Sequence, residues 1–344
     1  MREQTGVPLS TLTTLRLGGP ARALVTVEGE DELVEAVSRC DAEGEPVLVL
    51  GGGSNVVVAD EGFAGTVVRV ATRGVRPVVS DCAGATVRVA AGEDWDAFVA
   101  RAVAEGWVGL EALSGIPGST GATPLQNVGA YGADVSGTIS RVRVWDRVEG
   151  RRRTFAAAEC GFRYRDSRFR GDPRYVVVEV EFQLRLGELG APVRYAELAR
   201  ALGIGMGERA PVAEVRDAVL AVRRGKGMVL DAHDPDTWSA GSFFTNPVLD
   251  AEHAARLPAD APRWPQPDGS VKTSAAWLIE RAGFPKGFGS GAARLSTKHT
   301  LALTNRGGAT TRDLLALARE VRDGVDRAFG VRLVNEPVLV GSLL

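Results

Sequence analysis

Two rhythms of apolar residues run along this chain. Residues 175–186 open as a continuous apolar run and pass into strict alternation through Val180, Phe182 and Leu184, the period of a strand with one buried face. The unbroken run at 47–50 predicts a buried strand, and shorter strands are expected at 23–27, 66–70, 86–90 and 142–145, with a strand-like piece at 14–21. Helical spacing recurs in Trp95, Phe98, Val99, Ala102 and Val103, ended by Gly106. It returns in Val212, Val215, Val219 and Val222, where Pro211 suits the first turn and Arg223-Arg-Gly-Lys226 places cations at the C-terminal end. A last helix follows from Leu314, Ala318, Val321, Val325 and Ala328, stopped by Gly330; shorter ones are expected at 31–37 and 275–282, and a closing strand at 331–344. Strands and helices follow one another in successive units, a second starting near residue 75 and a third around residue 206.

Two glycine-rich interruptions break these rhythms. Gly115-Ile-Pro-Gly-Ser-Thr-Gly-Ala-Thr-Pro-Leu-Gln-Asn-Val-Gly-Ala-Tyr-Gly132 holds five glycines and two prolines, which excludes an ordinary helix or strand. Bare N–H groups in such turns form concave anion sites. Ser119, Thr120, Gln126, Asn127 and Tyr131 add hydrogen-bonding groups among small residues. A surface connector is the plain reading of such a loop; its length and stiffness favour a bed for a phosphate-bearing cofactor. Gly51-Gly-Gly-Ser-Asn55 follows the strand 47–50 directly and returns through 56–58 and 66–70. It resembles a phosphate site but is no dinucleotide fingerprint, since no helix pattern follows, and a tight hairpin is its alternative.

Composition narrows the function classes. Lys+Arg number 41 and Asp+Glu 43, so no overall basic field points to nucleic acid or an anionic membrane. The N-terminus has no apolar signal core and nowhere do eighteen apolar residues run together, so a cytosolic chain is expected. Cys40, Cys82 and Cys160 are far apart and odd in number, which predicts buried free thiols. His233, His253 and His299 are scattered, which argues against zinc or any other metal site.

Several polar residues stand out singly. Ser242 lies between Gly241 and two phenylalanines, without the surroundings of an acyl-transfer nucleophile. Arg165 follows Tyr164 in a polar, aromatic stretch. Glu336 interrupts an apolar terminal segment, where a carboxylate is costly unless exposed, paired or used. His299 taken alone reads as a cap or surface residue.

Together these stretches resemble a known family. Gly51-Gly-Gly-Ser-Asn55, the Gly115–Gly132 stretch, Tyr164-Arg-Asp-Ser167, Gly241-Ser-Phe-Phe-Thr-Asn-Pro247 and Glu336 occur in the order and spacing of the UDP-N-acetylenolpyruvoylglucosamine reductases, type I form. The resemblance implies an α+β protein: a two-lobed FAD-binding domain of the vanillyl-alcohol-oxidase type (lobes 1–72 and 73–205), a C-terminal α+β substrate-binding domain (206–330) that closes over the substrate, and a terminal strand (331–344) returning to the active site. It implies that NADPH reduces FAD, that hydride passes from flavin N5 to C3 of the enolpyruvyl group of UDP-N-acetylglucosamine enolpyruvate, and that a proton is added at C2 to give UDP-N-acetylmuramate for peptidoglycan. It assigns Arg165 and Glu336 to the charge developing at C2 and Ser242 to proton delivery. It places FAD on Gly51, Gly52, Gly53, Ser54, Asn55, Gly115, Ile116, Pro117, Gly118, Ser119, Gly121, Asn127, Gly129, Ala130, Tyr131 and Gly132. It places substrate on Tyr164, Tyr195, Lys226, Asn246 and His299, with Lys226 and His299 near phosphate or carboxylate oxygens. A monomer working without nucleic acid or membrane is expected.

Glu336 is followed by Pro337 where Glu-Val-Arg is the commoner family pattern, which leaves the register of the last strand open, and the family also uses glutamine at position 299. An FAD oxidase of the same fold and a non-catalytic UDP-sugar-binding protein are the alternative readings; the first gives no reason for Arg165, Ser242 and Glu336 to occur together, and flavin content and turnover separate the second.

Overall fold

In the computed structural model, which describes residues 1–344, the alternating segment is the strand Tyr175–Leu186. It pairs antiparallel with Ile139–Asp146 on one side and Gly84–Ala90 on the other, and Arg151–Ala156 and Val75–Ser80 form the edges. Trp107–Val108 pairs with its last residues. Val176, Val178, Val180, Phe182 and Leu184 are buried along the strand. Phe182 meets Phe98 and Trp95 of the helix Trp95–Ala104 at ring-centroid distances of 5.2 and 5.9 Å. Each such aromatic, fully buried, stabilises by about 2–3 kcal/mol. The Trp95 indole keeps its donor satisfied at the Leu113 carbonyl (3.2 Å).

This sheet belongs to the first of two units, formed by Met1–Val7, Ala21–Gly53 and Ala64–Val229. The same unit contains a four-stranded sheet ordered Arg2–Pro8, Pro20–Val27, Phe63–Val70, Val47–Leu50. The helix Glu30–Glu43 buries Leu33, Ala36, Val37 and Cys40. Its acidic first turn offsets the helix dipole, and Gly44 at φ 67° ends it. A helix pair, Ala196–Leu202 and Val212–Gly225, completes the unit through Leu198, Ala199, Val215 and Val219.

The second unit comprises Pro8–Pro20, Ser54–Phe63 and Leu230–Leu344. Its core is the stripe of the helix Thr311–Phe329 (Leu314, Leu315, Ala318, Val321, Val325) with Leu278 and Ile279 of Ala275–Arg281 and the pair Phe243 and Phe244. Asp60 accepts from the Thr311 and Arg312 N–H groups at 2.7 and 3.0 Å, filling two of the unpaired donors of that helix start.

Four expectations change. Residues 56–58 do not return beside 47–50; Val56–Val58 pairs parallel with Val338–Val340, while Val47–Leu50 pairs parallel with residues 66–69. Gly53 at φ 62° turns the chain away, and three consecutive buried valines require a partner of their own. The terminal strand is only Val338–Val340, because Pro337 has no N–H to continue a ladder. The helix Val212–Gly225 groups with the first unit, held by Arg216, whose guanidinium binds both oxygens of Asp96 at 2.7 and 3.0 Å. Cys40 and Cys160 are buried free thiols, but Cys82 is exposed in the turn between Val75–Ser80 and Gly84–Ala90. The strands Arg2–Pro8 and Arg151–Ala156, largely exposed and polar, carry no apolar rhythm that would announce them.

Asp146 gives the fold a testable fastening. Its buried carboxylate takes two bonds from Arg174 (2.8 and 2.7 Å) and one each from the Val148 and Glu149 N–H groups. Arg174 first, then those amides, outweigh burial and hold its pKa down to about 2. A depressed carboxyl contributes stability above the ordinary carboxylate range, and the contribution fades as pH falls from about 4 through about 2. Asp146→Asn is expected to cost about 2–4 kcal/mol at neutral pH in urea unfolding, and the gap to wild type should close between pH 4 and 2.

Candidate functional site

In the first unit the two glycine loops pack backbone on backbone. A Cβ on Gly52 would lie 2.6 Å from the Gly118 Cα, one on Gly51 would run into the Ser119 hydroxyl, and one on Gly121 would lie 2.5 Å from the Ala91 Cβ. The long loop is fastened along one edge to the turn that starts the helix Trp95–Ala104. Trp95 N–H donates to Gly118 (3.0 Å), while Thr120 and Gly121 N–H donate to Glu93 and Ala91 (both 2.8 Å). Gly115 N–H donates to Asp96 at 2.6 Å. Burial would raise the Asp96 carboxyl, but Arg216, that amide and the Arg223 charge hold it below the usual range. The Thr120 hydroxyl is buried with no partner in the chain. A side-chain-free cradle with an unpartnered hydroxyl fits a dinucleotide cofactor with a diphosphate. Thr120 is among the hydrogen-bonding groups read from this loop, but outside the set that the resemblance places on FAD.

Asn127 ties this loop to the segment bearing Arg165. Its side-chain amide donates to the Arg163 carbonyl (3.1 Å) and accepts from Ser136 N–H (3.1 Å), and Ser167 donates to the Leu125 carbonyl at 2.7 Å. Arg163 and Asp166 close a tight turn with Tyr164 and Arg165 at its tip. Arg165 takes φ 53°, unusual for a long side chain, and its guanidinium donates to the Gly129 carbonyl at 2.5 Å. The guanidinium also lies 5.4 Å from the Tyr164 ring centroid, a cation–π distance.

Tyr131, Tyr195 and Lys226 come together. Tyr131 and Tyr195 meet edge to face at 5.4 Å, and the Lys226 ammonium stands 5.9 Å from the Tyr131 ring centroid. Burial pushes the Tyr131 phenol up to about 12, against the opposing charge of Arg223. Lys226 also pairs with Glu197. Neither Glu197 nor Arg223 was singled out as a site residue by sequence; both belong to ordinary helical patterns.

In the second unit the terminal segment crosses the Gly241–Pro247 stretch. Glu336 N–H donates to the Phe243 carbonyl (2.8 Å), Thr245 N–H to Val334 (3.0 Å), and Phe244 bridges Asn335. Ser242 and Glu336 therefore sit on adjoining backbone, both half-buried. The buried rings of Phe243 and Phe244, 5.1 Å apart, anchor the stretch, and Gly241 at φ 72° makes its turn. Asn55 borders the same crossing: its side-chain amide donates to the Glu336 carbonyl at 3.5 Å and its own carbonyl accepts from Val338 N–H at 3.0 Å; Ser54 precedes it. Asn246 accepts the Ala275 N–H (3.0 Å), which spends part of its amide on the helix Ala275–Arg281. His299 sits in a turn braced by the buried Asp236, which accepts from Thr297 N–H (2.8 Å), the Thr297 hydroxyl (2.5 Å) and Arg306 (2.7 Å). Burial would raise the Asp236 carboxyl; Thr297, Ser296 and Arg306 outweigh it and keep it low.

Residues 21–154 match the family described as FAD binding domain, and residues 233–340 that described as UDP-N-acetylenolpyruvoylglucosamine reductase, C-terminal domain. The UDP-N-acetylenolpyruvoylglucosamine reductase of Thermobifida fusca is 60% identical over 348 residues, covering 98% of this chain and 98% of that protein. That of Cutibacterium acnes is 58% identical, covering 98% and 90%. The chain belongs to the UDP-N-acetylenolpyruvoylglucosamine reductase family. Among solved structures, the family's enzyme from Thermus caldophilus matches with a TM-score of 0.68 at 28% identity, over 99% of each chain. The chain is thus an FAD-dependent oxidoreductase with an FAD-binding domain and the family's C-terminal domain. The first match spans both glycine loops and the second spans Ser242, Asn246, His299 and Glu336. Tyr164, Arg165, Tyr195 and Lys226 lie in the stretch that neither covers.

Because two backbones meet at Gly52, Gly52→Ala should weaken FAD retention about tenfold or more, the cost of overpacking a site that cannot relax. Absorbance of the purified protein measures FAD content, and far-UV circular dichroism should stay unchanged. Wild-type FAD content would show that the two loops are not the cofactor's bed.

Proposed function

We propose that this chain reduces UDP-N-acetylglucosamine enolpyruvate to UDP-N-acetylmuramate with NADPH, in the cytoplasm, as a monomer, in peptidoglycan precursor synthesis. The observation that carries this reading is near-full-length identity to named reductases together with the complete set of Arg165, Ser242 and Glu336. FAD bound in the first unit would supply the hydride-transfer chemistry between NADPH and C3 of the enolpyruvyl ether. The glycine loops, with Ser54, Asn55, Ser119 and Thr120, hold it through backbone N–H groups and hydroxyls. Asn127 and Tyr131 shape that bed.

Hydride at C3 leaves an electron pair at C2, conjugated to the substrate carboxylate. Arg165, held on a turn by Asn127 and Ser167, supplies a fixed cation for that charge; a preorganised group has no reorganisation to make during the reaction. Ser242 donates the proton to C2. A serine hydroxyl is a weak acid, so it serves only a strongly basic carbon, and Glu336 on the adjoining backbone orients the exchange. Lys226 and His299 bind phosphate or carboxylate oxygens, and Tyr164, Tyr195 and Asn246 flank the sugar nucleotide. The hydrogen bond from Glu336 N–H to the carbonyl of Phe243, the residue after Ser242, supports assigning Ser242 and Glu336 to a single proton-transfer step.

Under anaerobic conditions, NADPH should bleach the flavin band and the enolpyruvyl sugar should restore it. A bleached band restored only by air would favour an oxidase, and no turnover with sugar binding intact would favour a binding protein. Ser242→Ala should leave bleaching by NADPH intact and slow restoration by about 10²–10⁴-fold. Equal loss of both steps would sink the proton-donor role. Glu336→Gln should slow the same second step by about 10²-fold or more, and wild-type restoration would remove Glu336 from it.

A further inference from the structure

Lys226 is not a waiting cation. It ends the helix Val212–Gly225, and its ammonium is engaged by the carboxylate of Glu197 in the first turn of the helix Ala196–Leu202. Tyr195, the residue before that helix, packs its ring on Tyr131, over which Lys226 also lies. Asp96, whose charge reaches Arg223 of the helix Val212–Gly225, is already occupied. Asp96 is bound by both nitrogens of Arg216 and by Gly115 N–H. Arg223, whose buried Nε has no partner and whose Nη2 donates to the Met228 carbonyl at 2.8 Å, contributes a further cation on the same helix. Glu197 is thus the carboxylate that an anion approaching Lys226 must displace.

We propose that Glu197 sets substrate affinity, competing with an anionic oxygen of the UDP-sugar for the Lys226 ammonium. The proposal rests on the substrate-binding role given to Lys226 above. Both partners are about a third exposed, 28% for Lys226 and 37% for Glu197, and a pair so hydrated is weak enough for a ligand to break. Binding then exchanges one ion pair for another, and the released carboxylate stays near the bound anion and repels it. The result is deliberately moderate ground-state binding. Tighter binding of substrate and transition state alike would lower KM without raising kcat and would hold product on the enzyme.

The test uses the oxidised holoenzyme without NADPH, so that no turnover occurs, titrated by calorimetry with UDP-N-acetylglucosamine and, separately, with its enolpyruvyl ether. Glu197→Gln keeps the size of the side chain and removes the competing charge. It should lower Kd roughly three- to tenfold. It should also steepen the weakening of binding by salt, because Lys226 then gains an ion pair on binding instead of exchanging one; loss of a merely structural contact would not change that slope. Tightening toward both ligands assigns Lys226 to the diphosphate, and tightening toward the enolpyruvyl ether alone assigns it to the carboxylate. An unchanged or raised Kd in Glu197→Gln, where Lys226→Gln weakens binding, overturns the competition and leaves the Lys226 reading standing. An unchanged Kd in Lys226→Gln overturns that reading and the competition with it.

Discussion

The first unit depends on a place where no side chain can go. Residues 51–52 and 118–119 approach so closely that a single added carbon at Gly52 would fall inside the contact radius of the opposing backbone. That approach is possible only because the long loop is bonded along its other edge to the Ala91–Asp96 turn, which is itself fixed by the helix Trp95–Ala104 and its aromatic packing on Phe182. Strand alternation, helix burial and loop position are thus links of one chain. The apolar rhythm of 175–186 places Phe182, Phe182 seats Trp95, and Trp95 seats Gly118. A core substitution at Phe182 would therefore reach the loop through its support, far from any direct contact with a cofactor.

The second unit solves a different problem, bringing the backbone that carries a half-buried acid against the backbone that carries a half-buried hydroxyl. Neither Ser242 nor Glu336 lies within a regular strand. They meet where the terminal segment crosses residues 243–245, just before Pro337 forces the ladder to restart at Val338. Proline here acts as a divider. On one side the backbone pairs with Phe243 to Thr245, on the other with Val56–Val58. The departure from the commoner family pattern after Glu336 is accommodated by this division, since a residue without an N–H costs nothing where no ladder bond is made.

How much of this was legible in the sequence differs by kind of residue. The helices and the long strand announced themselves by period, and the glycine loops by composition, because these signals are local. The partner of Val56–Val58 was not legible, since a three-residue apolar run says that it is buried but not against what. The grouping of Val212–Gly225 with the first unit rests on contacts far apart in sequence, the packing of Val215 and Val219 with Leu198 and Ala199 and the pairing of Arg216 with Asp96 across 120 positions, which no local pattern contains. Family resemblance located Ser242, Arg165 and Glu336. It could not locate Glu197, Asp236 or Thr120, whose importance comes from what they touch: an ammonium, a turn and an empty hydrogen-bonding position.

Backbone strain follows the same division. Of the four non-glycine residues at positive φ, three are Asn127, Tyr131 and Arg165, all in stretches nominated for binding or catalysis. Asparagine tolerates the left-handed region; tyrosine and arginine do so only at a cost of about 1–3 kcal/mol each. The surrounding contacts oppose that cost. Arg165 is braced by its bond to Gly129 and by the Arg163–Asp166 bridge, and Tyr131 by the ring of Tyr195. A relaxed turn at 163–166 would be more stable in isolation but would aim the guanidinium elsewhere. The strain is therefore best understood as the cost of direction: the chain gives up stability at two positions so that a cation and a phenol point where the backbone alone would not send them.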